Sequence, residues 1–282
     1  MRFCLISEAS VPEETVRLLR EACAARAIPF ETIVARSFEF DPAQRLRPGD
    51  LLYRAAVSTA ASRVEQFVFT PGVATIYRSD EGVFFQAGTQ PLLAQSAGIA
   101  MPRTVCLASG APGLLARQAE RVGGFPVVVK VLGRSGGIGV MRADSLPALR
   151  STVDYVLAQG ANPLLCEYIG DAMHWRVIVL GAEAIAAYRN PRAANDFRSV
   201  GSTQPEDFTE RPADALASLA VRAAALFHLE FAGVDVLEDP SGNVFFLEAN
   251  SPFYYPHAQL YGGVDIAGRL VDFLAGRSAR PQ

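Results

Sequence analysis

Residues 231–252 read Phe-Ala-Gly-Val-Asp-Val-Leu-Glu-Asp-Pro-Ser-Gly-Asn-Val-Phe-Phe-Leu-Glu-Ala-Asn-Ser-Pro. Two apolar runs flank the turn formers Asp239-Pro240-Ser241-Gly242-Asn243, so the stretch predicts an antiparallel hairpin. With Glu238 opposite Asn243, regular pairing puts Asp235 opposite Phe246. Glu248 then lies two residues further along the same face, and Asn250 continues that face. Diagonal neighbours on one face are ~7–8 Å apart at Cα. Two carboxylates and an amide oxygen thus converge, and such hard oxygen donors suit Mg²⁺. A solvated polar face is the plainer alternative. It fits poorly, because Val234, Val236, Phe245, Phe246 and Leu247 surround these acids. A carboxylate among such neighbours is costly unless it is paired.

Upstream, Trp175–Gly181 and Glu183–Asn190 predict a second hairpin around Gly181-Ala182. In a regular register Arg176 faces Ala187, and Arg189 is its diagonal neighbour on the same face. Arg198 lies in the loop that follows. Three guanidiniums could steady a phosphoryl group, although surface solubility explains a lone Arg198 equally well. The segment Asn190–Asp214 has little periodicity, and so long an irregular stretch reads as a functional lid or as disorder.

Further upstream, Pro126-Val127-Val128-Val129-Lys130 runs into Gly133-Arg134-Ser135-Gly136-Gly137-Ile138-Gly139. Glycines let backbone N–H groups approach phosphate oxygens. Of 26 basic residues only Lys130 is a lysine, which suggests a place for a compact ammonium that arginine cannot fill. No Gly-Lys-Ser/Thr closes the turn, so it is not a P-loop. The run after it, from Ile138, reads as a strand, where a dinucleotide fingerprint needs a helix. The reading is a glycine flap over phosphates between two strands, with Lys130, Ser135, Gly136, Gly137 and Ile138 as its contacts. The strand Leu164–Ile169 carries Glu167 and Tyr168, and its edge could offer backbone groups to a base, with Asp171 placed for ribose hydroxyls. Taken alone, that segment is explained as well by a buried strand with a surface acid.

The remaining chain supplies the frame. Residues 1–95 alternate strand and helix patterns: Arg2–Ser7, a helix over 12–27 opened by Pro12, Phe30–Val34, Leu51–Arg54 and a helix over 59–69. Further helices are expected at 113–122, 146–158, 213–228 and 264–275. The length fits several packed units, and three are expected: 1–97, 98–170 and 171–282. The net charge of -3, without a basic run, argues against nucleic acid as a partner. No apolar stretch approaches the ~20 residues of a membrane span. The start Met-Arg-Phe-Cys-Leu-Ile-Ser reads as a first strand and not as a signal peptide. Cys4, Cys23, Cys106 and Cys166 form no Cys-x-x-Cys pair, and free thiols fit a cytoplasmic location.

The ordered set PVVVK, glycine flap, LLCEYI, WRVIVLG, AAYRN, DFRS, AGVDVL and FLEANSP resembles the ATP-grasp superfamily. Within it the chain is most similar to the branch of the ribosomal-protein glutamate ligase, over about residues 98–275. The resemblance implies an α/β pre-ATP-grasp domain followed by two α+β subdomains that clamp ATP. It implies that Lys130 and the flap cover the phosphates, that Glu167, Tyr168 and Ile169 hold adenine, and that Asp171 or a neighbour holds ribose. It implies that Asp235, Glu248 and Asn250 bind two Mg²⁺ ions, with Mn²⁺ a substitute, and that Arg189 and Arg198 steady an acyl phosphate. The implied activity is an ATP-dependent carboxylate–amine ligase releasing ADP and phosphate. Its substrates would be a small-molecule or peptide carboxylate and an amine such as an amino acid; a homodimer or larger homo-oligomer stays open. The alternatives are an intramolecular cyclo-ligase, a phosphotransferase and a nucleotide-binding module without turnover.

The chain departs from the family in several places. The family's lysine ahead of the Gly-Ile-x-x-Pro-Arg-Thr connector is missing, with Gln86 and Ala87 near its place. His174 replaces an acid, and the loop after Arg198 lacks the usual Asn and Gly-Gly pattern. Phe253 replaces a glycine and opens a run with Tyr254, Tyr255 and His257, which either lines an acceptor pocket or packs the core.

Overall fold

A computed structural model of the chain describes residues 1–84, 90–131, 137–192 and 195–279. Ser135 and Gly136 of the phosphate turn, and Gln86 and Ala87, lie outside the described residues.

The first segment builds a parallel sheet from β1 (Phe3–Ser7), β2 (Phe30–Val34) and β3 (Leu51–Arg54), in the order β2-β1-β3. Central β1 is buried throughout, as a parallel strand covered on both faces must be. Helix α1 (Glu13–Ala24) starts behind Pro12, and α2 (Thr59–Val68) is capped by Ser58, whose Oγ accepts from Ala61 N at 3.0 Å. Helix α3 (Gln90–Ser96) leads out of this segment.

The second segment is an antiparallel sheet of β4 (Thr104–Cys106), β5 (Val127–Lys130), β6 (Val140–Ala143) and β7 (Leu164–Glu167), ordered β4-β7-β5-β6. Strand β6 starts at Val140, later than expected, because Gly137 and Gly139 sit at φ +73° and +80° and hold the chain in a turn. Helices α4 (Pro112–Arg121) and α5 (Leu146–Ala158) cover one face, where Leu115, Val127, Val129, Leu149 and Leu165 form a core. Strand alternation puts Val128, Lys130, Leu164 and Cys166 on the opposite face.

The third segment is an antiparallel sheet of β8 (Met173–Leu180), β9 (Glu183–Asn190), β10 (Phe208–Thr209), β11 (Phe231–Glu238) and β12 (Val244–Asn250), ordered β10-β9-β8-β11-β12. The segment expected to be irregular therefore contributes an edge strand, β10, which pairs with β9. Helix α6 (Asp214–Leu226) packs on one face. After α7 (Pro256–Leu260), α8 (Ile266–Ser278) returns to the first segment and packs on α1 and β3. There Arg26 grips Asp272 at 2.6 and 2.7 Å. The first and third segments share one continuous core, while the second has its own. The four cysteines are free; Cys106 is exposed and the others are buried. Among the described residues no helix is long and apolar enough to cross a membrane.

Candidate active site

The β11–β12 hairpin differs from the regular register in a way that matters. Asp235 pairs with Glu248, not with Phe246, while Val236 pairs with Phe246, so Leu247 is a β-bulge. Glu238 likewise pairs with Val244 and not with Asn243. Strict alternation would have put Phe246 and Glu248 on one face. The extra residue separates them: Phe246 is fully buried with its ring 5.5 Å from that of Phe227, and Glu248 stands on the opposite face with Asp235. Asn250 Nδ2 donates to Glu248 Oε1 at 2.9 Å and to Asp235 Oδ2 at 3.4 Å, so the three candidate ligands meet.

Asp235 is buried and held by Arg176, whose Nε and Nη2 donate to its two oxygens at 2.6 and 3.0 Å. His174 Nε2 lies 3.1 Å from Asp235 Oδ1. Burial alone would push the Asp235 carboxyl up; Arg176 and His174 instead hold it well below the usual carboxylate range. Glu248 goes the other way. Lost hydration and the adjacent Asp235 charge raise its carboxyl, against the pull of Asn250 and Lys130. Two neighbouring carboxylates sharing one guanidinium leave negative charge for a cation to neutralise. Asp235, Glu248 and the Asn250 amide would fit Mg²⁺ by donor chemistry once the amide is turned so that Oδ1, and not Nδ2, faces the carboxylates. Among the described residues no group of three His, Cys, Asp or Glu side chains forms a metal cluster, so any ion here rests on two acids and an amide.

Gly233 explains part of this geometry. A Cβ there would come within 2.7 Å of the Phe253 ring and 2.8 Å of Arg176 Nη1. Only glycine lets the arginine cross to Asp235.

The arginines do not share one face. A second bulge, at Ile185, shifts the β8–β9 register, so Arg176 pairs with Tyr188 and Trp175 with Arg189. Arg176 therefore faces Tyr188 in place of Ala187, and Arg189 lies on the opposite side of the sheet. The Arg189 guanidinium lies 5.7 Å from the Trp175 ring and pairs with Asp207 at 3.4 Å. On the Arg176 face, beyond Ala186, β9 carries Tyr188 and Asn190. Both are buried, and Asn190 Oδ1 has no hydrogen-bond partner among the described residues.

Across the gap stands the open face of the second sheet. Burial raises the Cys166 thiol and the Glu248 carboxyl, and the Lys130 charge opposes both shifts. Arg198 Nη1 donates to Gly137 O at 3.1 Å, joining the loop after β9 to the end of the glycine turn, and its guanidinium holds Asp196 down at about 2. Next to it, Phe197 packs over Val128, Leu164 and Cys166, 6.4 Å from the Tyr168 ring. Strand β7 ends at Glu167, so Tyr168 and Ile169 lie past the ladder. The Glu167 carboxylate is taken by Arg103 at 2.5 and 3.0 Å, which lowers its pKa. Asp171 is exposed, at φ +51°, with Arg192 Nη1 3.7 Å away. Ile138 is also exposed.

The aromatic run divides. Phe253 and Tyr255 are core, packed at steep angles around the Phe231 ring, while Tyr254 and His257 are half-buried and touch edge to face at 4.9 Å. Chemically, Asp235, Glu248 and Asn250 form a candidate cation site beside Arg176, and Lys130 stands on the open face of the second sheet. That suits a ligand with several phosphate groups. Sequence reasoning missed Tyr188, Asn190 and Phe197. The first two depend on a bulge that periodicity does not show; Phe197 stood in the quoted Asp-Phe-Arg-Ser element, where only the arginine was read.

A family model described as the RimK-like ATP-grasp domain matches residues 87–274. A Pseudoalteromonas atlantica protein named Probable alpha-L-glutamate ligase 2 is 33% identical over 193 residues, covering 65% of this chain and 60% of that one. A ribosomal protein bS6–L-glutamate ligase of Salmonella newport is 34% identical over 169 residues, covering 58% and 54%. The chain thus spans little more than half the length of these curated relatives. Among solved structures, the ATP-grasp ligase PsnB with minimal precursor, Mg and ADP superposes with a TM-score of 0.73 at 20% identity, covering 98% of this chain and 97% of that one. At that identity the likeness shows the fold.

Proposed function

Because this chain belongs to the RimK-like ATP-grasp family, we propose that it uses ATP to join a carboxylate to an amine. The observation that carries the reading is the meeting of Asp235, Glu248 and Asn250 beside Arg176, within electrostatic reach of Lys130. Bound Mg²⁺, as two ions with Mn²⁺ a substitute, would offset the charge of the triphosphate. Arg176 keeps Asp235 ionised and fixed in place. Lys130 holds phosphate oxygens from the facing sheet, as do Gly137 and, from outside the described residues, Ser135 and Gly136. Tyr168 and Ile169 supply the edge for the base. A substrate carboxylate oxygen attacks the γ-phosphorus as the bond to ADP breaks, giving an acyl phosphate. The amine nitrogen then attacks the carbonyl carbon, the carbon–oxygen bond to phosphate breaks, and the amine gives up a proton. Arg198, tied to the glycine turn, would steady the charge that develops. Arg189 has no part in this reading.

The names of the relatives support an amino acid as one substrate, with L-glutamate the first to test, and a small-molecule or peptide carboxylate as the other. The free thiols support a cytoplasmic site of action. The test is ADP release with Mg²⁺ and ATP across a panel of amino acids, peptides and small acids. Release that needs both a carboxylate and an amine supports the proposal; release with a single bifunctional substrate supports ring closure. AMP and pyrophosphate in place of ADP would sink the mechanism.

A further inference from the structure

Strand β12 is the edge of its sheet, and it carries two of the three candidate metal ligands. An edge strand needs partners for its outward N–H and C=O groups. Phe246 N finds one in Ala100 O at 2.8 Å. Ala249, which lies between Glu248 and Asn250, finds both in one side chain. Gln90 Nε2 donates to Ala249 O at 2.7 Å, and Ala249 N donates to Gln90 Oε1 at 3.0 Å. The carboxamide thus makes the pair of bonds that a neighbouring strand would make. Gln90 is 6% exposed and Ala249 3%, so water does not substitute for either bond.

We propose that Gln90 is the positioning residue of the metal site: by pinning Ala249 it sets where Glu248 and Asn250 present their oxygens. This rests on the reading of Asp235, Glu248 and Asn250 as metal ligands. The need for such a clamp is local. The bulge at Leu247 interrupts the β11 ladder just ahead of Glu248, and the strand stops at Asn250. The segment 248–250 is therefore short, bent and supported by β11 on one side only. Gln90 supplies the other side from the first turn of α3. It has no contact with the ligand oxygens and acts through the backbone. Metal sites tolerate little looseness in their donors, and supporting residues of this kind typically govern affinity by 10–100-fold.

The test uses the full chain with ADP present and follows Mn²⁺ binding by water-proton relaxation, with thermal unfolding in parallel. Gln90→Ala and Gln90→Asn should each weaken Mn²⁺ binding about tenfold or more. The Mg²⁺ concentration for half-maximal ADP release should rise by a similar factor. Leu93→Ala, on the same helix and packed into the core, should lower the melting temperature yet leave Mn²⁺ affinity within about twofold. If the Gln90 variants bind Mn²⁺ within about twofold of wild type, or if Leu93→Ala shifts it as far as they do, Gln90 is only a structural bridge. Should Gln90→Ala fail to fold, Gln90→Asn decides by the same criterion. Glu248→Ala separates the two levels: if it keeps wild-type Mn²⁺ affinity, the metal assignment itself falls and this proposal with it.

Discussion

Lys130 is one lysine against 25 arginines, and its charge opposes the rise in the Glu248 pKa. If it holds phosphate oxygens, charge alone will not replace it, because the guanidinium fork is larger and oriented for bidentate contacts. Lys130→Arg should lose roughly 10²-fold in kcat/KM, the scale of a misplaced reacting group, with the melting temperature almost unmoved. Kinetics with ATP varied decide it: a variant above about a third of wild type, a loss under ~1 kcal/mol, would make the lone lysine an accident of composition. Arg176 tests a different property. Its partner Asp235 has a folded-state pKa below the ordinary value. The pair therefore contributes stability above about pH 4, where an unfolded Asp is ionised, and that stability is lost as pH falls through the folded value. Arg176→Leu takes away the guanidinium and leaves the buried carboxylate with only His174 and Asn250 beside it, which should cost up to about 3–5 kcal/mol near neutrality. Its melting temperature should rise on acidification from pH 7 to pH 5, where wild type stays level or declines. Parallel pH profiles for the two proteins would contradict the pairing.

The elements were legible where periodicity is strong. Strands Phe3–Ser7, Phe30–Val34 and Leu51–Arg54 and the helix Leu146–Ala158 stand where alternation and spacing put them. The hairpins were legible as hairpins, but their registers were not. A β-bulge adds one residue without a sequence mark, and one residue reverses every side chain beyond it. At Leu247 that reversal reconciles a buried Phe246 with a cleft-facing Glu248. At Ile185 it carries Arg189 off the Arg176 face and puts Tyr188 and Asn190 there instead. The carboxylate pair thus came out closer than regular pairing allows, and the arginine pair did not form. Deleting Leu247 should leave a regular ladder in which Phe246 and Glu248, now consecutive, still point to opposite faces. We expect that variant to fold and to keep Mn²⁺ binding and ADP release. If it melts normally yet loses both, the pairing of Asp235 with Glu248 is not what presents the ligands.

At the scale of the molecule, the two cores divide the chain unevenly. The first and third segments are one hydrophobic body, and the second, with Lys130 on its open face, is another. The two walls of the candidate site therefore belong to different bodies, joined across the gap by Arg198 and Gly137. Leu149→Ala, inside the smaller core, should cost about 2–5 kcal/mol there. Hydrogen exchange should then speed up in 104–167 and stay unchanged in β1, β3 and β11. Equal acceleration in both bodies would show a single cooperative unit. The most direct test of the whole account follows the carboxylate oxygen. With the substrate pair found by the panel, ¹⁸O-labelled carboxylate and ATP are turned over with Mg²⁺ and the phosphorus products are resolved by ³¹P NMR. The account predicts ADP together with phosphate that carries one ¹⁸O from the carboxylate. Unlabelled phosphate, or AMP with pyrophosphate, would contradict it.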